Sequence, residues 1–196
     1  MKKLITLFAC IILSAMTMAQ GQHMKFKGIP IDGTLKEYIN AMTKAGFTYD
    51  NTYDGIAGLK GIAVLKGDFA GFKNCTIGVS TLQNCDLVNC IAVLFPKNNK
   101  WADVLEDYEQ LKAMLIQKYG EPESCKELFT KQVTDDDSKI DAASSDDYVW
   151  YANFETELGV IELSIVYSFW HRVAVKMVYY DKINTQKVKE AAIDDL

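Results

Sequence analysis

The stretch Leu65–Val79, LKGDFAGFKNCTIGV, decides how the chain is built. Its three glycines invite a phosphate-loop reading. A phosphate loop needs a helix directly behind its glycines, so that backbone amides and the helix dipole converge on the anion. Here Gly67 and Gly71 lead instead into Cys75-Thr76-Ile77-Gly78-Val79, which alternates with period two. The stretch therefore reads as the end of one strand, a tight turn and the start of the next.

The same alternation recurs on both sides. It predicts strands over 62–68, 74–81 and 88–95, and again over 148–154, 159–167 and 172–180. A helix precedes each group of three. Thr34-Leu35-Lys36-Glu37 is a capping box, and Leu35, Tyr38, Ile39 and Met42 follow at helical spacing, so Thr34–Ala45 is the first helix. Trp101, Val104, Leu105, Tyr108, Leu111, Leu115 and Tyr119 form one stripe on a second helix that Gly120 and Pro122 end. The expected fold class is α+β, with two helix-plus-three-strand repeats (about 26–97 and 98–181) forming an antiparallel sheet. The helices pack on one face, and a polar tail follows Asp181, with room for a short terminal helix over Lys187–Ile193.

The first residues set the compartment. Met1-Lys2-Lys3 is a basic start, Leu4–Met16 is almost wholly apolar, and Thr17-Met18-Ala19 places small residues at a cleavage site. This predicts a signal peptide over 1–19, export to the periplasm or beyond, and a mature domain over 20–196 with no membrane span. The chain carries a net charge of −5, or −7 without Lys2 and Lys3. Such a surface repels phosphate backbones and excludes nucleic acid as a partner.

Four cysteines remain after cleavage: Cys75, Cys85, Cys90 and Cys125. An even count in an oxidising compartment favours disulfides, with Cys75–Cys90 across neighbouring strands the first expectation and Cys125–Cys85 the second. Buried free thiols are the other reading. Cys85-x4-Cys90 lacks the spacing of a zinc pair, and no metal or cofactor is expected.

The phrases FKGIPIDG (Phe26–Gly33), LKGDFAGFKNC and WADVLEDYEQLKAMLIQKYGEP (Trp101–Pro122) resemble a group of small uncharacterised secreted proteins of Gram-negative bacteria. That resemblance covers most of the mature chain and implies export. It brings no activity with it. The order of elements is also similar in outline to the tandem-repeat fold of β-lactamase-inhibitor proteins, an analogy of fold that implies no function.

Recognisable catalytic spacing is missing: the sequence holds no G-x-S-x-G, H-E-x-x-H or C-x-x-C. The two histidines are His23, near the new N-terminus, and His171, in an expected hairpin turn. A hydrolase would have to use His171 with Asp or Glu residues such as Glu155, Glu157 and Glu162. The acidic run Asp135–Asp147 offers Asp135, Asp137, Asp141 and Asp146 at calcium-loop positions, but Lys139 and Ile140 fill two of the most telling ones. A flexible acidic loop is the simpler expectation.

What remains is a surface. Helices on one side of a sheet leave the other side open. That side is expected to carry Thr76, Gly78 and Ser80 in the first half, and Val160, Glu162, Val166, Ala174, Lys176, Val178 and Tyr180 in the second. A semi-apolar face with aromatic edges suits an unknown protein or envelope component, or a second copy in a homodimer.

Overall fold

The computed structural model describes residues 22–54, 56, 60–82, 85–168 and 170–194. The expected signal peptide lies outside them. Helix α1 spans Leu35–Lys44. The Thr34 hydroxyl accepts from the Glu37 amide at 3.3 Å, and the Glu37 carboxylate accepts from the Thr34 amide at 3.0 Å, the reciprocal arrangement that the sequence predicts. A further free amide at this helix end, that of Leu35, donates to Asp86 at 2.9 Å. Helix α2 spans Trp101–Tyr119 and buries Trp101, Val104, Tyr108, Leu111 and Leu115, one face at helical spacing.

Two short strands, β1 (Lys25–Phe26) and β2 (Ile29–Pro30), form a small hairpin. The main sheet has eight strands: β3 (Thr48–Tyr49), β4 (Ile62–Phe69), β5 (Phe72–Leu82), β6 (Cys85–Leu94), β7 (Ser124–Phe129), β8 (Tyr148–Thr156), β9 (Gly159–Ser168) and β10 (Arg172–Asp181). Their spatial order is β3-β4-β5-β6-β10-β9-β8-β7, with every pairing antiparallel. The two expected meanders, β4–β6 and β8–β10, therefore meet at a central seam where Val93 pairs with Met177. Each meander also has an outer edge strand, β3 or β7, that the sequence reading omits. The fold is α+β.

Alternation gives this sheet two unlike faces. On the inner face Leu65, Ile77, Val93, Met177, Leu163 and Ala152 form one cross-strand row, each buried. Helix α1 packs over β4–β6 and α2 over β8–β10, so each helix closes its own half of the core. Aromatic side chains fill the ends: Phe26 contacts Phe69 and Tyr179 at ring separations of 4.9 and 5.5 Å in one half, and Trp101 contacts Phe129 and Trp150 at 4.8 and 5.2 Å in the other.

Three expectations are corrected. The acidic run is not a flexible loop: Asp136–Ser144 is a helix, α3, whose Ile140, Ala142 and Ala143 are buried. Asp135 caps it by accepting from the Ser138 amide at 2.8 Å. A helix carries positions 1, 3, 5 and 7 of the run around its circumference, so they cannot converge on one calcium ion. The polar tail after Asp181 is helical from its start, as α4 over Lys182–Asp194, rather than only over the short terminal helix expected at Lys187–Ile193.

The third correction concerns the disulfides. All four described cysteines are free. Cys75 pairs with Gly67 and lies buried on the inner face, whereas Cys90 pairs with Ser80 and Tyr180 on the outer face. Side chains on opposite faces of a sheet point apart and cannot be bridged. Cys125 and Cys85 lie on β7 and β6, which four strand spacings separate, so the second pairing is excluded as well.

Candidate functional site on the outer sheet face

The sheet's outer face is read directly from its register. One row runs Val64, Gly78, Ala92, Val178, Glu162, Asn153 and Ser124. The next runs Lys66, Thr76, Leu94, Lys176, Ser164, Tyr151 and Lys126. A third runs Ile62, Ser80, Cys90, Tyr180, Val160 and Glu155. All eight expected face residues, Thr76, Ser80, Val160, Glu162, Val166, Lys176, Val178 and Tyr180, share this side. Most of the three rows is partly buried, while Val178 and Ser164 are recessed at 3% and 7% exposure. Gly78 and Ala92 keep the middle of the face low, because neither has a side chain beyond Cβ.

The expectation misses the contribution of β8, and with it the most polar part of the face. Ser164 lies between Tyr151 and Lys176 on its row, with Glu162 two residues before it and Val166 two after. Asp146, Tyr151, Asn153, Glu162, Ser164, Val166 and Lys176 are among the residues that line a shallow depression of about 450 Å³. Two polar atoms there lack hydrogen-bond partners: Ser164 Oγ and Asn153 Oδ1. The Asn153 amide nitrogen donates to Ser124 Oγ at 3.2 Å, which fixes the side chain and leaves its oxygen unmatched. Neither Glu162 nor Lys176 has an ion-pair partner within 4.0 Å among the described residues. A serine interrupting the apolar strand GVIELSIVYS is the signal that marks this spot.

Burial pushes the Cys90 thiol up to about 11, with Glu162 adding to the rise and Lys176 opposing it. Burial also raises the neighbouring Tyr180 phenol.

Glu155 and Glu157 do not gather with His171. Glu157 lies in the β8–β9 turn and Glu155 beside it, whereas His171 lies in the turn between β9 and β10. Those turns are at opposite ends of a ten-residue strand, about 30 Å apart. His171 faces Asp137 at 3.5 Å and Asp141 at 3.6 Å on α3, an exposed contact that seats the hairpin on that helix. His23 lies 3.0 Å from the buried Asp181. Among the described residues no group of three or more His, Cys, Asp or Glu could hold a metal ion, and no helix is long and apolar enough to cross a membrane.

A larger cleft of about 660 Å³ separates α1 from the adjoining ends of β4–β6, lined by Leu35, Ile39, Tyr49, Thr81 and Cys85 with Lys36 and Asp86 at its polar side. Asp86 is already engaged by the Leu35 amide. Comparisons with family models, with curated proteins and with solved structures find no match for the chain.

Proposed function

We propose that the protein is an exported, non-catalytic binding protein, periplasmic or secreted, that docks a protein or envelope component on the outer face of its sheet. The observation that carries this reading is the asymmetry of the sheet. Helices α1 and α2 close the inner face, while the three cross-strand rows of the outer face stay partly exposed and semi-apolar, with α4 flanking the third row, where Thr185, Gln186 and Lys189 line a hollow with Glu155, Val160 and Tyr180. Eight strands span nearly 40 Å, and the three rows with their margins span about 20 Å. That area is comparable to the roughly 800 Å² that each partner of a stable complex contributes. The three rows carry Lys66, Lys126 and Lys176 against Glu155 and Glu162, in contrast to the net negative charge of the whole chain.

The mirrored strand order about the β6–β10 seam supports reading residues 26–97 and 98–181 as two repeats that share one sheet. Export rests on the N-terminal sequence and on the resemblance to secreted proteins.

The test uses cosedimentation of the mature protein with an isolated envelope fraction. Ala92→Arg plants a long charged side chain in the centre of the face, and Gln110→Arg does the same on the solvent side of α2. The reading predicts that Ala92→Arg abolishes cosedimentation and that Gln110→Arg leaves it intact. A second copy as the occupant would instead give a dimer in sedimentation velocity that Ala92→Arg dissociates. Equal behaviour of both variants and the parent overturns the reading.

A further inference from the structure

Resting on that reading, we infer that the occupant of the outer face is a neutral glycan chain, and that the depression around Ser164 is the subsite that holds one of its sugar rings. Ser164 is more than nine-tenths buried, and its hydroxyl has no partner in the fold. A buried hydroxyl without a partner is costly, and so is the unmatched Asn153 oxygen. Two such atoms in one depression mark a place where a ligand repays the cost.

The chemistry of the four polar groups selects the ligand. Asn153 Oδ1 and the Glu162 carboxylate need donors, the Lys176 ammonium needs an acceptor, and the Ser164 hydroxyl uses both. They occupy adjacent positions on β8, β9 and β10, and cross-strand neighbours stand about 5 Å apart. Vicinal ring hydroxyls supply donors and acceptors at that spacing, whereas one peptide side chain satisfies only one or two of the four groups. The lining carries Asp146 and Glu162 against Lys176, so it disfavours an anionic polymer. Tyr151, on the same row as Ser164, offers an aromatic ring for the apolar side of a sugar. The depression is open on a flat face, so a chain can enter it by an internal ring and continue past both ends. Its 450 Å³ volume lies in the range of ligand sites.

The experiment is a printed array of neutral and acidic oligosaccharides probed with the mature protein, followed by calorimetric titration with the strongest neutral tetrasaccharide. Saturable binding of a neutral glycan is expected, and Ser164→Ala and Asn153→Leu each weaken it about fivefold or more, the equivalent of one lost hydrogen bond. Gln110→Ala, on the solvent side of α2 and off the sheet face, leaves it unchanged, and matching thermal midpoints confirm that the variants fold. Absence of any neutral ligand overturns the inference, and so does binding that ignores both substitutions. Cosedimentation that Ala92→Arg abolishes but that protease treatment of the envelope also destroys identifies a protein partner; docking on the face then survives and the glycan does not.

Discussion

The carboxylate of Asp181, at the end of β10, lies 3.0 Å from His23 Nδ1 and accepts the Met24 amide hydrogen at 2.7 Å. The same side chain accepts from the Asn184 amide at 2.8 Å, and it is fully buried. The central strand thus fastens both the first described segment and the first turn of α4. Asp181→Ala strands two buried amides and is expected to cost about 2–4 kcal/mol, read from the urea midpoint at constant slope. An unchanged midpoint contradicts this fastening.

Asn184 completes the fastening. Its side-chain nitrogen meets the carbonyls of Ile31 and Val88 at 3.1 and 2.9 Å and the Asp32 carboxylate at 3.0 Å. All three partners are acceptors. Asn184→Asp keeps the shape but turns a donor into an anion facing them, so it is expected to destabilise more than Asn184→Ala. Paired denaturation curves of the two variants give the order directly.

Gly67 owes its place to a neighbour. A Cβ there would stand 2.4 Å from the Phe47 ring, far inside contact distance. Gly67→Ala is expected to cost about 1–3 kcal/mol through overpacking. The cost falls in a Phe47→Leu background, because the aromatic edge that clashes is gone, and a double-mutant cycle measures the coupling.

Glu127 carries the pH dependence of the β7 edge. Burial raises its carboxyl, but donors from Lys112 at 2.5 Å, Cys125 at 3.2 Å and Tyr108 at 2.9 Å outweigh burial and hold it below the usual range. A depressed carboxyl stabilises the fold above its unfolded value of about 4.3 and loses that contribution as pH falls through the folded value. The difference in stability between parent and Glu127→Gln is therefore expected to be about 1 kcal/mol at neutral pH and to shrink as the pH falls through the folded value. A difference independent of pH contradicts the assignment.

The cysteines give a chemical check on the sheet's two faces. Denatured without reductant, the mature chain is expected to yield four titratable thiols, where a Cys75–Cys90 bridge would leave two. In the folded protein, exposed Cys125 alkylates ahead of Cys90, whose thiol is pushed up to about 11, and fully buried Cys75 reacts only on unfolding. Mass spectrometry of timed alkylation orders them.

Much of this architecture is legible in the residues. Period-two alternation marks the six long strands because one face of each is buried, and the Thr34 box and the Trp101 stripe mark two helices. The rest is hidden for physical reasons. Strand β3 has two residues and β7 is a polar edge, so neither carries enough pattern. Helix α3 is built from aspartates and serines around one buried isoleucine and two alanines, too thin a stripe to read. The cysteine faces were available: the alternation that groups Cys75 with Ile77 groups Cys90 with Ala92, on the other side. The Ser164 depression needs the register that sets Tyr151 opposite Ser164 and Asn153 opposite Glu162, which sequence alternation does not specify.

Lysine acylation with and without the envelope fraction addresses the outer face most directly. Lys176 stands on that face and Lys118 on α2, away from it. The account predicts that both label in the free protein and that the bound protein protects Lys176 while Lys118 still labels. Protection of Lys118 with Lys176 left reactive would place the partner on the helices and contradict it.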